Sequence, residues 1–238
     1  MNDKIKLFKQ WIDGSDNIVF FGGAGVSTES GIPDFRSVDG LYNQKWHYPP
    51  ETILSRTFFY SNPSEYYRFH REKLVVDGVK PNIAHLKLAE LEKKGKLKAV
   101  VTQNIDGLHQ AAGSENVLEL HGSILRAYCS RCGKSFDADG INHGQGVPKC
   151  ECGGVVRPDI VLYEEPLDQD IMLRAIESIR RADVLIVGGT SLNVYPAAGL
   201  IDYYNGNKLV LINLSKTPYD SYANLVINEK IGEVFSQI

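Results

Sequence analysis

The sequence lacks the features that mark membrane proteins and general nucleic-acid binders. No segment approaches the roughly 18 uninterrupted apolar residues of a membrane-spanning helix, and the charged amphipathic start of the chain has no apolar core of a signal peptide. A net charge of −3 leaves no surplus of Lys and Arg for phosphate backbones or anionic lipid, although basic protein tails stay open as partners. We therefore expect a cytoplasmic protein with no membrane partner and no direct nucleic-acid binding.

Cysteine is scarce, and the four cysteines lie in one window, at Cys129, Cys132, Cys150 and Cys152. In a reducing compartment, a Cys-x-x-Cys pair followed by a second close pair is typical of a zinc ribbon, in which four thiolates bind one tetrahedral ion. Four thiolates leave no open coordination position, so the predicted role of the Zn²⁺ is structural. A disulfide or free thiols are the alternative.

Internal repeats, low-complexity tracts and long linkers are also absent, and a chain of 238 residues with 43% hydrophobic side chains has room for one large domain or for a domain with a small one. Apolar runs predict strands at 17–21, 99–102, 117–120, 183–187 and 208–214. Helical spacing of apolar residues predicts helices at 3–13, 82–94 and 168–182, a helix start at 196–198 and two short helices within 49–76. This alternation is typical of an α/β protein with a Rossmann-like, doubly wound parallel sheet, whose ligand crevice lies at the carboxyl ends of the strands.

A glycine-rich stretch, 22–36, directly follows the first predicted strand. Gly23 and Gly25 let the backbone approach a phosphate closely, and a helix beginning near Ser27 would point its free N–H groups at that phosphate. A nucleotide is therefore the first ligand to consider. The dehydrogenase fingerprint fits poorly, because Thr28 completes its Gly-x-Gly pattern and no acidic residue ends a second strand about 20 positions on.

The second half of this stretch carries the more unusual chemistry. The tripeptide 31–33, Gly-Ile-Pro, should end the helix after one or two turns, which places Asp34, Phe35 and Arg36 in a loop. An acid, an aromatic ring and a guanidinium in one loop point to a functional role. A glycine turn with a Pro-terminated helix is the plain alternative.

A second polar run, 102–109, directly follows the second predicted strand. A buried core would not place Gln103, Asn104 and Asp106 in near succession, because each side chain needs hydrogen-bond partners once water is removed. An Asx-type turn is the structural alternative. His121 follows the next predicted strand, so an imidazole with an ordinary pKa of about 6.5 would stand at the same edge of the sheet.

Together these stretches resemble the sirtuins, NAD-dependent protein lysine deacylases. The pattern Gly-Ala-Gly-x-Ser-x-x-Ser-Gly-Ile-Pro-Asp-Phe-Arg begins at Gly23, Thr-Gln-Asn-Ile-Asp-x-Leu-His begins at Thr102, and further motifs follow in order as far as Asn213. The resemblance implies NAD-dependent removal of acetyl or other neutral acyl groups from protein lysines, releasing nicotinamide and O-acetyl-ADP-ribose. Protein mono-ADP-ribosyl transfer at the same site and a non-enzymatic NAD-sensing module are the alternatives.

The resemblance also implies roles for the side chains at the sheet edge. His121 would be the general base, with Asn104 and Arg36 as the other catalytic residues. Phe35 would exclude water from the reactive ribose, and Asp106 would accept the amide hydrogens of nicotinamide. The NAD-binding positions would be Gly23, Ala24, Gly25, Ser27, Thr28, Asp34, Phe35, Arg36, Gln103, Asn104, Ile105, Asp106, Gly189, Thr190, Ser191, Asn213, Leu214 and Ile231.

The stretch after the cysteine window resembles the segment that receives the acyl-lysine peptide. Its substrate-binding positions would be Ile160, Val161, Leu162 and Tyr163. The first two would line the acyl-lysine tunnel and bind the peptide backbone as an added strand, although a plain buried strand is the alternative. Many members have Phe-Gly-Glu where this chain has Tyr163, Glu164 and Glu165, which predicts a bulkier, more acidic rim that favours basic peptides.

Two further departures from the family pattern affect the acyl group and the metal. Desuccinylating members carry Tyr-x-x-Arg on a helix of the acyl pocket, where this chain has Tyr67 and His70, so neutral acyl groups are favoured. The alternative that Arg68 or Arg71 takes the place of the missing arginine stays open. The second cysteine pair is Cys-x-Cys where sirtuins more often have Cys-x-x-Cys, so this turn must be tighter or supported by the glycines at 153–154.

We predict three parts in the chain. A Rossmann-like NAD-binding domain would comprise 1–36, 81–124 and 158–238, with a cofactor loop and helical insertion at 37–80 and a zinc-binding module at 125–157. The expected partner is an acyl-lysine protein or peptide, and the expected assembly is a monomer or weak oligomer.

Overall fold

The computed structural model of this chain describes residues 2–238. Their strands are β1 (Ile18–Gly22), β2 (Leu97–Thr102), β3 (Val117–Glu119), β4 (Gly122–Cys129), β5 (Ser135–Asp137), β6 (Val156–Ile160), β7 (Val184–Gly188), β8 (Leu209–Ile212) and β9 (Leu225–Ile227). Their α-helices are α1 (Asp3–Asp13), α2 (Pro50–Ile53), α3 (Arg56–Ser61), α4 (Pro63–Phe69), α5 (Ile83–Lys93), α6 (Leu108–Ala111), α7 (Asp139–Asn142), α8 (Gln169–Arg181) and α9 (Ile231–Phe235). Short 3₁₀ helices lie at Ala24–Val26, Thr28–Ser30, Leu41–Asn43 and Ala197–Tyr203, and a π-helical turn lies at His70–Leu74.

Six parallel strands form the large sheet, in the order β3-β2-β1-β7-β8-β9. The chain builds outward from β1 to β3 on one side and from β7 to β9 on the other, so the strand order reverses between β1 and β7. Loops that leave neighbouring strands at such a switch point part to opposite sides and open a crevice. Since Gly22 pairs with Gly188 at the ends of β1 and β7, the crevice begins directly after these two residues.

Both faces of the large sheet are covered by helices. One face packs against α1, α5 and α9 through side chains such as Phe8, Leu88 and Phe235, and the other packs against α8 and the 3₁₀ helix at Ala197–Tyr203. Every residue of β1 and β7 is buried and is either apolar or glycine. The prediction of a doubly wound parallel sheet from unbroken apolar runs is therefore confirmed.

The remaining elements form a second unit, which we call the small domain. It contains α2, α3, α4, α7 and an antiparallel sheet with the strand order β5-β4-β6. Phe59, Phe69, Ile141 and Val156 lie in one apolar core together with two of the cysteines. The predicted helical insertion and the predicted cysteine module therefore share a single core.

The glycine-rich stretch folds differently from its prediction. In place of one helix beginning near Ser27, the chain forms two 3₁₀ helices, at Ala24–Val26 and Thr28–Ser30. The predicted stop at Gly31 is confirmed, because this residue has a left-handed φ of 92°. Helices of this length direct few N–H groups along one axis, so the argument from a helix dipole was wrong here.

The region 49–76 also differs from its prediction of two short helices, because it forms three short α-helices and the π-helical turn. Asn62 accounts for one of the extra breaks, since it follows α3 and its side chain accepts a hydrogen bond from the Glu65 N–H at the start of α4. Within residues 2–238, none of the helices is long and apolar enough to cross a membrane.

Candidate active site

Two glycine loops meet at the switch point of the large sheet. The Gly25 N–H donates to the Gly189 carbonyl at 2.8 Å, and a Cβ on Gly25 would lie 2.8 Å from the Gly189 Cα. A Cβ on Gly23 would lie 2.8 Å from the Thr190 Cβ. A side chain cannot fit between these loops, so their packing against each other requires glycine, in addition to any approach to a phosphate.

Buried hydrogen bonds join the two polar motifs. The Ser27 hydroxyl donates to Asp106 Oδ2 at 2.7 Å and accepts from Asn104 Nδ2 at 3.1 Å. Asp106 Oδ1 accepts from the Leu108 N–H at 2.9 Å. Ser27 is almost fully buried, so the hydroxyl predicted to bind NAD holds Asn104 and Asp106 in place.

His121 lies in the turn between β3 and β4, and a backbone carbonyl sets the orientation of its imidazole. Its Nδ1 lies 2.9 Å from the Gln103 carbonyl oxygen. Because a carbonyl oxygen only accepts, Nδ1 carries the proton and Nε2 keeps a free lone pair. Burial lowers the pKa of His121 below its ordinary value of 6.5, against the opposing effect of the bond to Gln103. The imidazole is therefore neutral at pH 7, which is the state that a general base requires.

The loop 34–42 closes tightly on itself. Asp34 Oδ1 accepts from the Arg36 N–H at 3.0 Å, and the N–H groups of Leu41 and Tyr42 donate to the carbonyls of Asp34 and Phe35 at 2.8 and 2.9 Å. The rings of Phe35 and Tyr42 meet edge to face at 5.7 Å, and the Arg36 guanidinium lies 5.1 Å from the centre of the Tyr42 ring. The acid, the aromatic ring and the guanidinium of the motif are thus held as one unit.

These loops surround a cavity of about 1410 Å³ at the carboxyl ends of the parallel strands, bordered on its other side by the small domain. Most of the predicted site residues line it. They are Gly23, Ala24, Gly25, Thr28, Asp34, Phe35, Arg36, Gln103, Asn104, Ile105, Asp106, His121, Ile160, Val161, Leu162, Tyr163, Gly189, Thr190, Ser191, Asn213, Leu214 and Ile231. A volume of this size suits a dinucleotide together with a side chain of a second substrate.

The segment 160–163 connects this cavity to the small domain. The Val161 N–H donates to the His121 carbonyl at 3.0 Å. The Tyr163 N–H donates to the Leu54 carbonyl and the Tyr163 carbonyl accepts from the Arg56 N–H, both at 3.0 Å. The backbone of the segment is thereby fixed next to the imidazole.

The two carboxylates after Tyr163 are both engaged within the chain. Glu165 forms a bidentate ion pair with the buried Arg157 at 2.6 and 2.9 Å. Burial raises the pKa of Glu165, but the bonds from Arg157 and from the Leu162 N–H, together with the nearby guanidinium charges, lower it overall. Glu164 has a left-handed φ of 73°, and its carboxylate accepts from the Thr57 N–H and hydroxyl at 2.9 and 2.6 Å. Arg157 neutralises one of the two charges, so the predicted acidity of the rim rests on Glu164.

Tyr67 and His70 do not line the cavity, contrary to the prediction of an acyl pocket. Both side chains are fully buried in the small domain, where the Tyr67 hydroxyl donates to the Val156 carbonyl and His70 Nε2 lies 2.8 Å from Asn142 Oδ1. The cations considered as substitutes are also engaged: Arg68 pairs with Glu65 at 2.6 Å, and Arg71 Nε donates to the Ile141 carbonyl at 3.0 Å. Packing of α4 against β6 and α7 accounts for this difference.

His109, the last residue of the second polar run, does not reach the cavity and packs in the interior. His109 is 1% exposed, and neither ring nitrogen has a hydrogen-bond partner within residues 2–238. Its ring packs 4.7 Å from that of His85, whose Nδ1 accepts from the Asn82 N–H at 3.3 Å and so supplies the cap of α5. Burial lowers the pKa of His85 to about 4 and that of His109 to about 3.

The four cysteines meet at the edge of the small domain as free thiols, with their Sγ atoms all within 4.8 Å of one another. Cys129 Sγ lies 3.5 Å from Cys152 Sγ, and Cys132 Sγ lies 3.8 Å from Cys150 Sγ. Sulfur atoms about 2.3 Å from a tetrahedral Zn²⁺ would be separated by similar distances, so the residues fit the ion.

The shorter second cysteine pair is accommodated by the glycines that follow it. The Cys150 N–H donates to the Gly154 carbonyl and the Gly153 N–H donates to the Cys150 carbonyl, both at 2.8 Å. Gly153 has a left-handed φ of 84°, and a Cβ on Gly154 would lie 2.7 Å from Cys129 Sγ. The tight turn expected for a Cys-x-Cys pair is therefore present.

Sequence reasoning missed several residues that line the cavity, among them Tyr42, Ser215, Lys216, Glu229 and Lys230. Lys216 follows β8, and Glu229 and Lys230 follow β9. The rule that ligands bind at the carboxyl ends of parallel strands would have found Lys216. It did not extend to the other two, because β9 has only three residues and was not recognised as a strand.

The fold and the site define a nucleotide-binding α/β protein with a metal module. Polar loops and a neutral imidazole lie at the switch point of a parallel sheet, and four cysteines cluster in the small domain. The Sir2 family model matches residues 23–196, and the chain belongs to this family.

Individual relatives agree with this assignment. The chain is 59% identical to the NAD-dependent protein deacetylase of Clostridium perfringens (strain 13 / Type A), covering 100% of this chain and 99% of that protein. It resembles a solved Sir2 with p53 peptide and NAD⁺ (TM-score 0.88, 43% identity, 100% of this chain and 97% of that one). It also resembles a Sir2 variant with deacetylated p53 peptide and 3′-O-acetyl-ADP-ribose (TM-score 0.89, 42% identity, 98% and 96%).

Proposed function

We propose that this protein is an NAD-dependent protein lysine deacetylase. It acts on an acetyl-lysine protein or peptide and releases nicotinamide and O-acetyl-ADP-ribose. Full-length similarity to proteins named for this activity supports the reaction class. The single observation that carries the mechanism is the imidazole of His121, which lines the cavity and whose Nδ1–H donates to the Gln103 carbonyl, so that the lone pair is on Nε2.

NAD, when bound, supplies an ADP-ribosyl group that accepts the acetyl group as nicotinamide leaves. The residues after β1 and β7 fit its phosphates, because the close-packed glycines keep side chains out of the way and the hydroxyl-bearing Thr190 and Ser191 line the cavity. Asn104 and Asp106 are held by Ser27, so a ribose hydroxyl and a carboxamide would meet side chains that are already in position.

His121 would remove a proton from a ribose hydroxyl through Nε2, while the Nδ1–H group stays hydrogen-bonded to the Gln103 carbonyl. Low pKa and fixed orientation together make the imidazole available as a base at pH 7. Asn104 and Arg36 are the other side chains that we place at the reacting ribose. Phe35 would exclude water from it, since its ring belongs to the rigid loop 34–42.

Ile160, Val161, Leu162 and Tyr163 form the segment along which we place the acyl-lysine peptide. Both backbone groups of Tyr163 are already paired with the small domain, so a peptide would pair with neighbouring positions. Glu164 supports a modest preference for basic peptides. Neutral acyl groups are favoured, because the guanidinium groups of Arg68 and Arg71 are engaged elsewhere.

The thiolates of Cys129, Cys132, Cys150 and Cys152 would hold one structural Zn²⁺. We keep 1–36 with 81–124 and 158–238 as the proposed NAD-binding domain, and we propose that the predicted parts 37–80 and 125–157 together form the small domain, because they share one core. We also propose a cytoplasmic location, because a four-cysteine metal site is typical of a reducing compartment, and a monomer or weak oligomer.

The test is to incubate the protein with an acetyl-lysine peptide and adenylate-labelled NAD and to identify the products by mass spectrometry. Deacetylated peptide, nicotinamide and O-acetyl-ADP-ribose in equal amounts are expected. Label retained on protein would instead indicate ADP-ribosyl transfer. Binding of NAD without release of nicotinamide would indicate a sensing module.

A further inference from the structure

Two tyrosine hydroxyls connect the loop 34–42 with the peptide segment. Tyr42 Oη lies 2.5 Å from Tyr163 Oη, across 121 positions of sequence. Both residues line the cavity.

Tyr42 is rigidly joined to the residues that we place at the ribose. Its N–H donates to the Phe35 carbonyl at 2.9 Å, and its ring contacts the Phe35 ring and the Arg36 guanidinium. A Cβ on Gly40 would lie 2.7 Å from the Phe35 carbonyl carbon, so the two sides of the loop are in close contact. Any shift of the Tyr42 hydroxyl would therefore move Phe35 and Arg36.

Tyr163 is fixed from the opposite side by the small domain. Its backbone pairs with Leu54 and Arg56, and the next residue, Glu164, bonds to Thr57. The loop 34–42 and the small domain are thus joined through the Tyr42–Tyr163 pair.

We propose that the Tyr163 hydroxyl is a positioning contact that couples peptide binding on segment 160–163 to the order of the loop 34–42, and through it to NAD affinity. This inference rests on the proposed function for its substrates. A peptide that packs against the Tyr163 ring restricts its rotation, and the fixed hydroxyl then holds Tyr42, Phe35 and Arg36. By thermodynamic reciprocity, NAD bound under the loop strengthens peptide binding by the same factor.

The test compares Tyr163→Phe, Tyr42→Phe and the double variant with the wild type by hydrogen exchange of the 34–42 amides. Each single change removes one hydroxyl without changing ring packing, and a partly exposed hydrogen bond of this kind predicts exchange about 2- to 10-fold faster. The double variant should exchange as fast as either single variant. Tyr48→Phe is the matched control, because Tyr48 is in the adjoining loop and packs on Phe58, and its hydroxyl has no partner within residues 2–238.

Two further readouts separate positioning from a purely structural role. An acetyl-lysine peptide should slow exchange of the loop in the wild type and slow it less in Tyr163→Phe. The KM for NAD should rise about 2- to 10-fold in Tyr163→Phe, following the same hydrogen-bond strength, and should stay near the wild-type value in the control Tyr48→Phe.

Wild-type exchange rates in Tyr163→Phe, or effects of the two single variants that multiply in the double variant, would overturn the inference. Absence of deacetylated product from the wild-type enzyme would instead overturn the proposed function. Exchange measured without peptide does not depend on that product, so the two failures are distinguishable.

Discussion

A single proton position decides which nitrogen of His121 acts as the base. The Gln103 carbonyl accepts a hydrogen bond from the Nδ1–H group, and burial keeps the ring neutral. The sequence identified this histidine through its position after a strand and through a family motif. It did not reveal the tautomer, because the hydrogen-bond partner of Nδ1 is the backbone carbonyl of Gln103, in the loop after β2, and a backbone carbonyl leaves no mark in the sequence.

The acid limb of the pH profile of kcat/KM should have its midpoint below pH 6.5. The pKa of His121 is lowered in the folded enzyme, so the base stays neutral as pH falls past 6.5 and becomes protonated only at lower pH. Initial rates with an acetyl-lysine peptide at subsaturating concentration and saturating NAD, between pH 5 and 8, provide the measurement. A midpoint above 6.5 would contradict the described environment of the imidazole.

Among the helices and strands, those that a local sequence pattern determines were predicted best. The continuous apolar runs of β1 and β7 and the capped, periodic α5 were recognised because burial on both sheet faces and a side-chain cap leave direct marks in sequence. β4 was missed, since its partly exposed residues show no clear alternation, and β9 was missed because it is short. The placement of Tyr67 depends on packing between α4 and β6, which no local pattern encodes.

The cysteine turns should depend on metal more than any other element. Purified protein is expected to contain about one Zn²⁺ per chain, and a chelator or Cys129→Ser should expose β4 and β5 to hydrogen exchange while β1 and β7 stay protected. Structural Zn²⁺ stabilises a fold strongly, by about 10 kcal/mol or more in zinc-finger peptides. Because the cysteine turns share the core of the small domain, loss of the ion should loosen that domain. Protein without zinc and with two disulfides would contradict the metal site.

The whole molecule consists of a parallel sheet and a small domain that meet at one cavity, and three buried histidines lie in these two units. Burial lowers the pKa of His70 and of His85 to about 4 and that of His109 to about 3, from an ordinary 6.5. In the unfolded chain these groups take up protons below pH 6.5, whereas in the folded protein they stay neutral. Their contribution to stability is therefore full above pH 6.5 and decreases as the pH falls from 6.5 towards 4 and 3.

The free energy of unfolding should accordingly fall on the order of a few kcal/mol between pH 7 and pH 5, at roughly 1.4 kcal/mol per pKa unit and group. Carboxylates stay largely ionised in this window, so the loss reports on histidines. Urea titrations at the two pH values measure it. His143 has a pKa raised by Asp77 and Asp139, so His143→Asn should enlarge the loss slightly, and equal stability at both pH values in the wild type would contradict the burial of the other three.

The central claim is that His121 is the base of an NAD-dependent deacetylation, and the most direct test is O-acetyl-ADP-ribose formation by His121→Ala measured alongside its affinity for NAD. Removal of a general base predicts a loss of roughly 100-fold or more in kcat with NAD affinity within a few-fold of wild type. His47→Ala, which changes an exposed histidine outside the cavity lining, should retain wild-type rates. Loss of NAD binding in His121→Ala with unchanged turnover at saturation would contradict the account.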